Sequence, residues 1–140
     1  MSAFQKDIEW LLKAHHILEA FQDQAEFHVR FEMAGFDRLV IERHGDLVSV
    51  AHYFEQNSDL IADPEVELHY PTWFPTAITQ VIGGRREKFF NRKGEKYVDL
   101  KFHDEVTSFL AVWGRNIRFQ GWNRANFSIT SDKVISQEWK

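Results

Sequence analysis

The chain has 140 residues, 44% hydrophobic and 27% charged, which fits one globular domain large enough for its own core. It holds no cysteine, which excludes disulfides, a thiolate nucleophile and cysteine-ligated zinc, and which suits a reducing compartment. Net charge is −4, yet residues 1–70 carry 14 acidic and five basic side chains, whereas residues 85–124 carry ten basic and five acidic. This split predicts two patches of opposite sign, or pairing between them inside the fold.

The opening residues lack a basic stretch followed by a long apolar run, so no signal peptide is expected, and no window reaches the ~20 apolar residues of a membrane span. The expectation is a cytosolic protein with no membrane partner. Thirteen Phe, five Trp and three Tyr predict an aromatic-rich core, with some Trp on a binding surface as the alternative.

Residues 1–24 read as one amphipathic helix. Ser2 and Gln5 have capping-box spacing, and Phe4, Ile8, Leu11, Leu12 and Leu18 recur at helical period opposite Lys6, Glu9, Lys13 and His16. Residues 25–102 read as about six antiparallel strands. The clearest is 26–33, where Phe27, Val29, Phe31 and Met33 alternate with Glu26, His28, Arg30 and Glu32. Strands at 37–43 and 47–55 follow, joined by Gly45-Asp46, and complete a meander. A polar loop is expected at 56–63, then a strand at 65–70 and a rigid apolar loop at 71–75. Next come a strand at 77–82 ending at Gly83-Gly84 and a hairpin around 91–95. Residues 103–121 read as a helix capped by Asp104 and ended by Gly121, and residues 122–140 as a tail with a short strand at 126–130. The class is α+β, with an N-terminal and a C-terminal helix on one face of an antiparallel sheet.

Two stretches resemble known groups. The run Ala51-His52-Tyr53-Phe54-Glu55-Gln56-Asn57, with Asp59-Leu60 and Asp63-Pro64-Glu65, resembles an uncharacterised family of plasmids, integrative elements and phages that reads "AHYYEQNGDLMADPE". The chain departs from that pattern at Phe54 and at Ser58, where serine in place of glycine argues against a left-handed turn residue. His103-Asp104-Glu105, Phe109-Leu110, Trp113 and Gly121 are similar in spacing to the YqiB-like bacterial family. The resemblance implies a mobile-element origin and the bacterial host cytosol, and brings no catalytic residue.

The candidate binding residues are His52, Tyr53, Glu55, Gln56, Asn57, Asp59 and Asp63, all in or beside the polar run, together with Trp73 in the apolar loop. Three readings of the run stay open: a self-capping turn, a binding edge, and a hard-cation site using Glu55, Asp59 and Asp63. With a metal there, His52 would be the base of a hydrolase. No cofactor motif is present, and the spacing is not that of an EF-hand. His15 lies on the apolar stripe and reads as a core histidine. The basic residues Arg85, Arg86, Lys88, Arg92, Lys93 and Lys96, with Phe89 and Phe90 between them, read as a solvated hairpin edge or a single-stranded nucleic-acid surface. Overall acidity opposes the latter. The leading expectation is a non-enzymatic interaction module with a protein partner, and its exposed edge strands make a dimer plausible.

Overall fold

Ser2 Oγ accepts the Gln5 amide at 3.1 Å and opens α1 (Ala3–Ala14). Gln5 turns its own amide to Glu9 at 3.2 Å, so the reciprocal half of the capping box is not formed. The expected single helix breaks after Ala14. His16 takes φ +61°, its amide bonds to Lys13 O, and the Ile17 amide bonds back to Leu12 O. This is the Schellman pattern with histidine in the place glycine usually holds, so sequence periodicity ran straight through a stop. A second short helix, α2 (Leu18–Asp23), follows at a new angle, and Arg43 closes its end by donating to Phe21 O and Gln22 O.

The computed structural model describes residues 1–130. After α2 come β1 (Glu26–Glu32), β2 (Arg38–His44), β3 (Leu47–Gln56), β4 (Asp59–His69), β5 (Pro75–Gln80) and β6 (Gly84–Glu87). The hairpin β7 (Phe89–Arg92) and β8 (Glu95–Val98) precedes α3 (Phe102–Phe119), a short 3-10 turn at Trp122–Arg124 and β9 (Asn126–Ile129). The class is α+β as expected. The main sheet has seven antiparallel strands in the order β6-β5-β4-β3-β2-β1-β9, and β7–β8 forms a sheet of its own. Of the expected 122–140 tail, Trp122–Arg124 form the 3-10 turn, Asn126–Ile129 close the sheet as an edge strand, and residues 131–140 lie outside the described residues. α3 begins at Phe102, so Asp104 lies in its first turn and is not the cap, while Gly121 ends the helix at φ +97° as its spacing predicts.

The helices cover one face of the sheet. Phe31, Leu39, Ile41, Val48, Val50, Val66 and Leu68 meet Ile8, Leu11, Phe21, Phe102 and Ile117 in one buried cluster. α1 and α3 approach closely because position 114 is glycine: a Cβ there would stand 2.8 Å from Asp7 Oδ2 and 3.1 Å from Phe4 Cδ1. Arg118 locks the same seam through Asp7 at 2.8 Å. His15 donates to Trp122 O at 2.9 Å, in line with a histidine satisfied within the fold. Among the described residues no helix is long and apolar enough to cross a membrane.

β3 and β4 pair with an irregularity. Ala51 faces Glu65 and Tyr53 faces Ala62, so His52 opposes two residues, Asp63 and Pro64. A bulge of this kind tolerates a proline inside a strand and bends the strand carrying it.

Candidate functional site

The expected polar loop at 56–63 is a hairpin. β3 runs to Gln56 and β4 starts at Asp59, leaving Asn57 and Ser58 as a two-residue turn at φ +53° and +70°. Both central residues take the left-handed conformation, the pattern of a type I′ turn. Serine at 58 adopts it despite the expectation against it, because the turn closes two strands already held in register. Asn-Ser is a weak hairpin signal beside Asn-Gly, and polar composition hid the strand.

This hairpin overshoots its neighbours. β2 pairs with β3 only as far as Tyr53, and β5 pairs with β4 only from Glu65 onward. Between those limits, residues 54–64 form a two-stranded arm beyond the body of the sheet. Glu55, Gln56, Asn57, Ser58 and Asp59 are exposed along it. Glu55 pairs with Arg38 at 3.0 Å, and Asp63 Oδ1 accepts the Val81 amide at 3.1 Å. The Asp59 side chain has no ion-pair or hydrogen-bond partner among the described residues, and only its backbone is held, in the ladder opposite Gln56.

The remaining predicted residues disperse. His52 points to the helix side, its ring 5.6 Å from both Trp113 and Trp122, with Nδ1 donating to Asp37 O at 3.2 Å. Burial lowers its pKa, and it shares no site with Glu55 or Asp59. Trp73 is 2% exposed and packs against Phe21, so it belongs to the core; its neighbour Phe74 is the exposed ring of that loop. Glu55, Asp59 and Asp63 do not converge, and among the described residues no group of three or more His, Asp or Glu is placed to hold a metal ion.

Tyr53 leads to a group that the sequence did not single out. It lies on the sheet face opposite the helices, where Tyr53 Oη and Ser49 Oγ both donate to Glu65 Oε2, at 3.3 and 2.9 Å. Burial, then the charges of Glu65 and Glu42, push the Tyr53 phenol above its usual range. Glu42 is raised by burial, against the pull of His44 3.6 Å away. His44 bonds Glu26 at 2.6 Å, and His28 stands 4.0 Å from Glu42. Farther along, Arg85 joins Glu67 and Glu87. A buried carboxylate needs such donors, since desolvation without them is costly. The signal was present in the strict polar alternation of 26–32 and in Glu42, His44, Glu65 and Glu67. Only strand order brings those positions side by side.

The basic segment is spent unevenly. Arg85 and Arg86 are bound by carboxylates, the latter by Asp99 at 2.7 and 3.1 Å and Glu105 at 3.1 Å. No carboxylate among the described residues pairs with Lys88, Arg92, Lys93 or Lys96, all on or beside β7–β8.

A family model described as "Domain of unknown function (DUF6908)" matches residues 8–123, from within α1 to the turn after α3. No curated protein and no solved structure matches the chain.

Proposed function

The chain belongs to the DUF6908 family, and from that premise we propose that it is a non-enzymatic protein-binding module whose β3–β4 arm docks on a basic protein surface. The observation that carries this reading is the overshoot of the arm past β2 and β5, which leaves both outer strand edges without neighbours in the sheet. Residues 53–68 hold five acidic and no basic side chains. An edge strand gives a partner a row of main-chain hydrogen bonds, and a single sign of charge steers the encounter. The resemblance of this same stretch to plasmid and phage proteins supports a role on a mobile element, acting on a host or defence complex in the bacterial cytosol.

Affinity capture from bacterial lysate at low salt tests the reading, with the full chain beside a Glu55→Lys, Asp59→Lys variant. A partner held by the native chain, released by salt and missed by the variant is expected. Equal capture by both chains would overturn the role of the arm.

A further inference from the structure

The β7–β8 hairpin bonds to no strand of the main sheet, and its side chains contribute nothing to the buried cluster. It is joined to the body by the Lys88 amide on Thr76 O at 2.9 Å and by the Arg86 clamp on Asp99. An isolated two-stranded hairpin is marginal in water, and apolar rings on it do little for folding unless something covers them. Here Phe89 is 49% and Tyr97 41% exposed.

The cations are arranged around those rings. Lys88 Nζ and Lys96 Nζ stand 5.5 and 5.1 Å from the Phe89 centroid, and Arg92 stands 5.8 Å from the Phe90 centroid. Phe90 and Tyr97 stack at 5.6 Å and 18°. Register puts Phe89, Asn91 and Lys96 on one face of the hairpin and Phe90, Arg92 and Tyr97 on the other. Phe89, Asn91 and Lys96 also line a cleft of about 490 Å³ toward β6, within the ~300–1,000 Å³ range of small-ligand pockets. Glu87 and Asp99 line the cleft too, but each is already bonded to an arginine.

We propose that this hairpin binds single-stranded nucleic acid, with a base stacked on Phe89 in the cleft, the flanking phosphates on Lys88 and Lys96, and Arg92 on the opposite face holding the backbone where the strand passes round the hairpin. Flat rings accept any base, and unpaired ammonium and guanidinium groups beside them meet the backbone. An acidic protein would use the cations and leave the ring idle, so the ring is the discriminating group. The proposal uses no residue of the β3–β4 arm, and its failure would leave the arm reading untouched.

Fluorescence anisotropy of the full chain with labelled oligo-dT, oligo-U and a duplex, each roughly 10 nucleotides long, tests it. Expected is binding to the single strands over the duplex, weakening with salt at a log–log slope of about −2 to −3 for three or four phosphate contacts. Phe89→Ala is expected to lose about 5- to 100-fold in affinity. Lys96→Gln is expected to reduce the salt slope by about one contact on every sequence. Phe89 is a surface ring, so an unchanged circular dichroism spectrum certifies its variant. No binding at the lowest salt, equal binding to duplex, or binding untouched by Phe89→Ala and displaced equally by polyglutamate would each overturn the proposal. Preference between oligo-dT and oligo-U assigns DNA or RNA.

Discussion

Two ribbons leave the body of this protein, and they are built on opposite plans. The β3–β4 arm prolongs strands that are already paired in the main sheet, so its register is inherited; of its acidic side chains Glu55 is tied to Arg38 and Asp63 to the Val81 amide, while Asp59 faces water. The β7–β8 hairpin inherits nothing: it is a separate sheet, fastened by Arg86 and one main-chain bond, and it carries the basic side chains. Both close with two left-handed residues, Asn57-Ser58 at +53° and +70° and Lys93-Gly94 at +52° and +78°. Each turn therefore has half of the preferred Asn-Gly pair. Projection from a sheet needs either shared strands or a side-chain clamp, and this chain uses one of each.

The largest expected effect is on what the ribbons share. Trp122 is fully buried beneath Phe36 and His52, so Trp122→Ala is expected to cost about 3–5 kcal/mol in a urea melt. Both ribbons would lose structure in one transition; separate transitions would show that one of them folds on its own.

Next comes the polar face of the sheet at β1, one strand in from the β9 edge. Burial, then the charges of Arg30 and His44, lower His28 to about 4 from the ordinary 6.5 of a histidine. Between these values the unfolded chain holds a proton that the folded chain lacks, so this contribution is complete above pH 6.5 and is lost as pH falls toward 4. Its size is on the order of 1–3 kcal/mol. His44 works in the opposite sense: burial opposes it, but Glu26 and Glu42 raise its pKa, so its contribution is present below 6.5 and fades as pH rises through the folded value. Melts from pH 7 to 4 should show declining stability, and His28→Asn should flatten that limb. An unchanged limb in the variant would remove His28 from the account.

Ser58→Gly relieves a non-glycine residue at φ +70° and is expected to stabilise the arm by about 1 kcal/mol, read as a rise in Tm. The smallest global change is expected from Arg86→Ala, because the hairpin it fastens is outside the core. Amide exchange should accelerate across residues 88–99 and stay unchanged across 54–63. Faster exchange in both regions would mean that the two plans are not independent.

Legibility in the sequence follows the same division. Period-two alternation located β1 to β3 and the second half of β4, and helical spacing located most of α3, because each of those elements buries one side against a common core. The break at His15-His16 was hidden, since a left-handed histidine looks like any polar helix residue. The first half of β4 was hidden because Asp59, Asp63 and Pro64 read as loop, Leu60, Ile61 and Ala62 run together without alternation, and a bulge accepts the proline. β6, with Gly84, Arg85, Arg86 and Glu87, was missed for the same reason. Of the candidate residues, Glu55, Gln56, Asn57 and Asp59 lie exposed along the arm. Trp73 was drawn into the core against Phe21, and half-buried His52 was turned to the helix side against Trp113 and Trp122, partners far away in sequence. The polar network on the opposite face depends on strand order alone.

The bulge at Asp63-Pro64 has a consequence of its own. It bends the strand where the arm departs, so the heading of the arm is written in the backbone two positions before Glu65 and not in the residues at the tip. Shortening the chain by one residue there would straighten the ladder and swing an unaltered tip toward a different part of space. The chemistry of the tip and the heading of the arm are thus set by different residues.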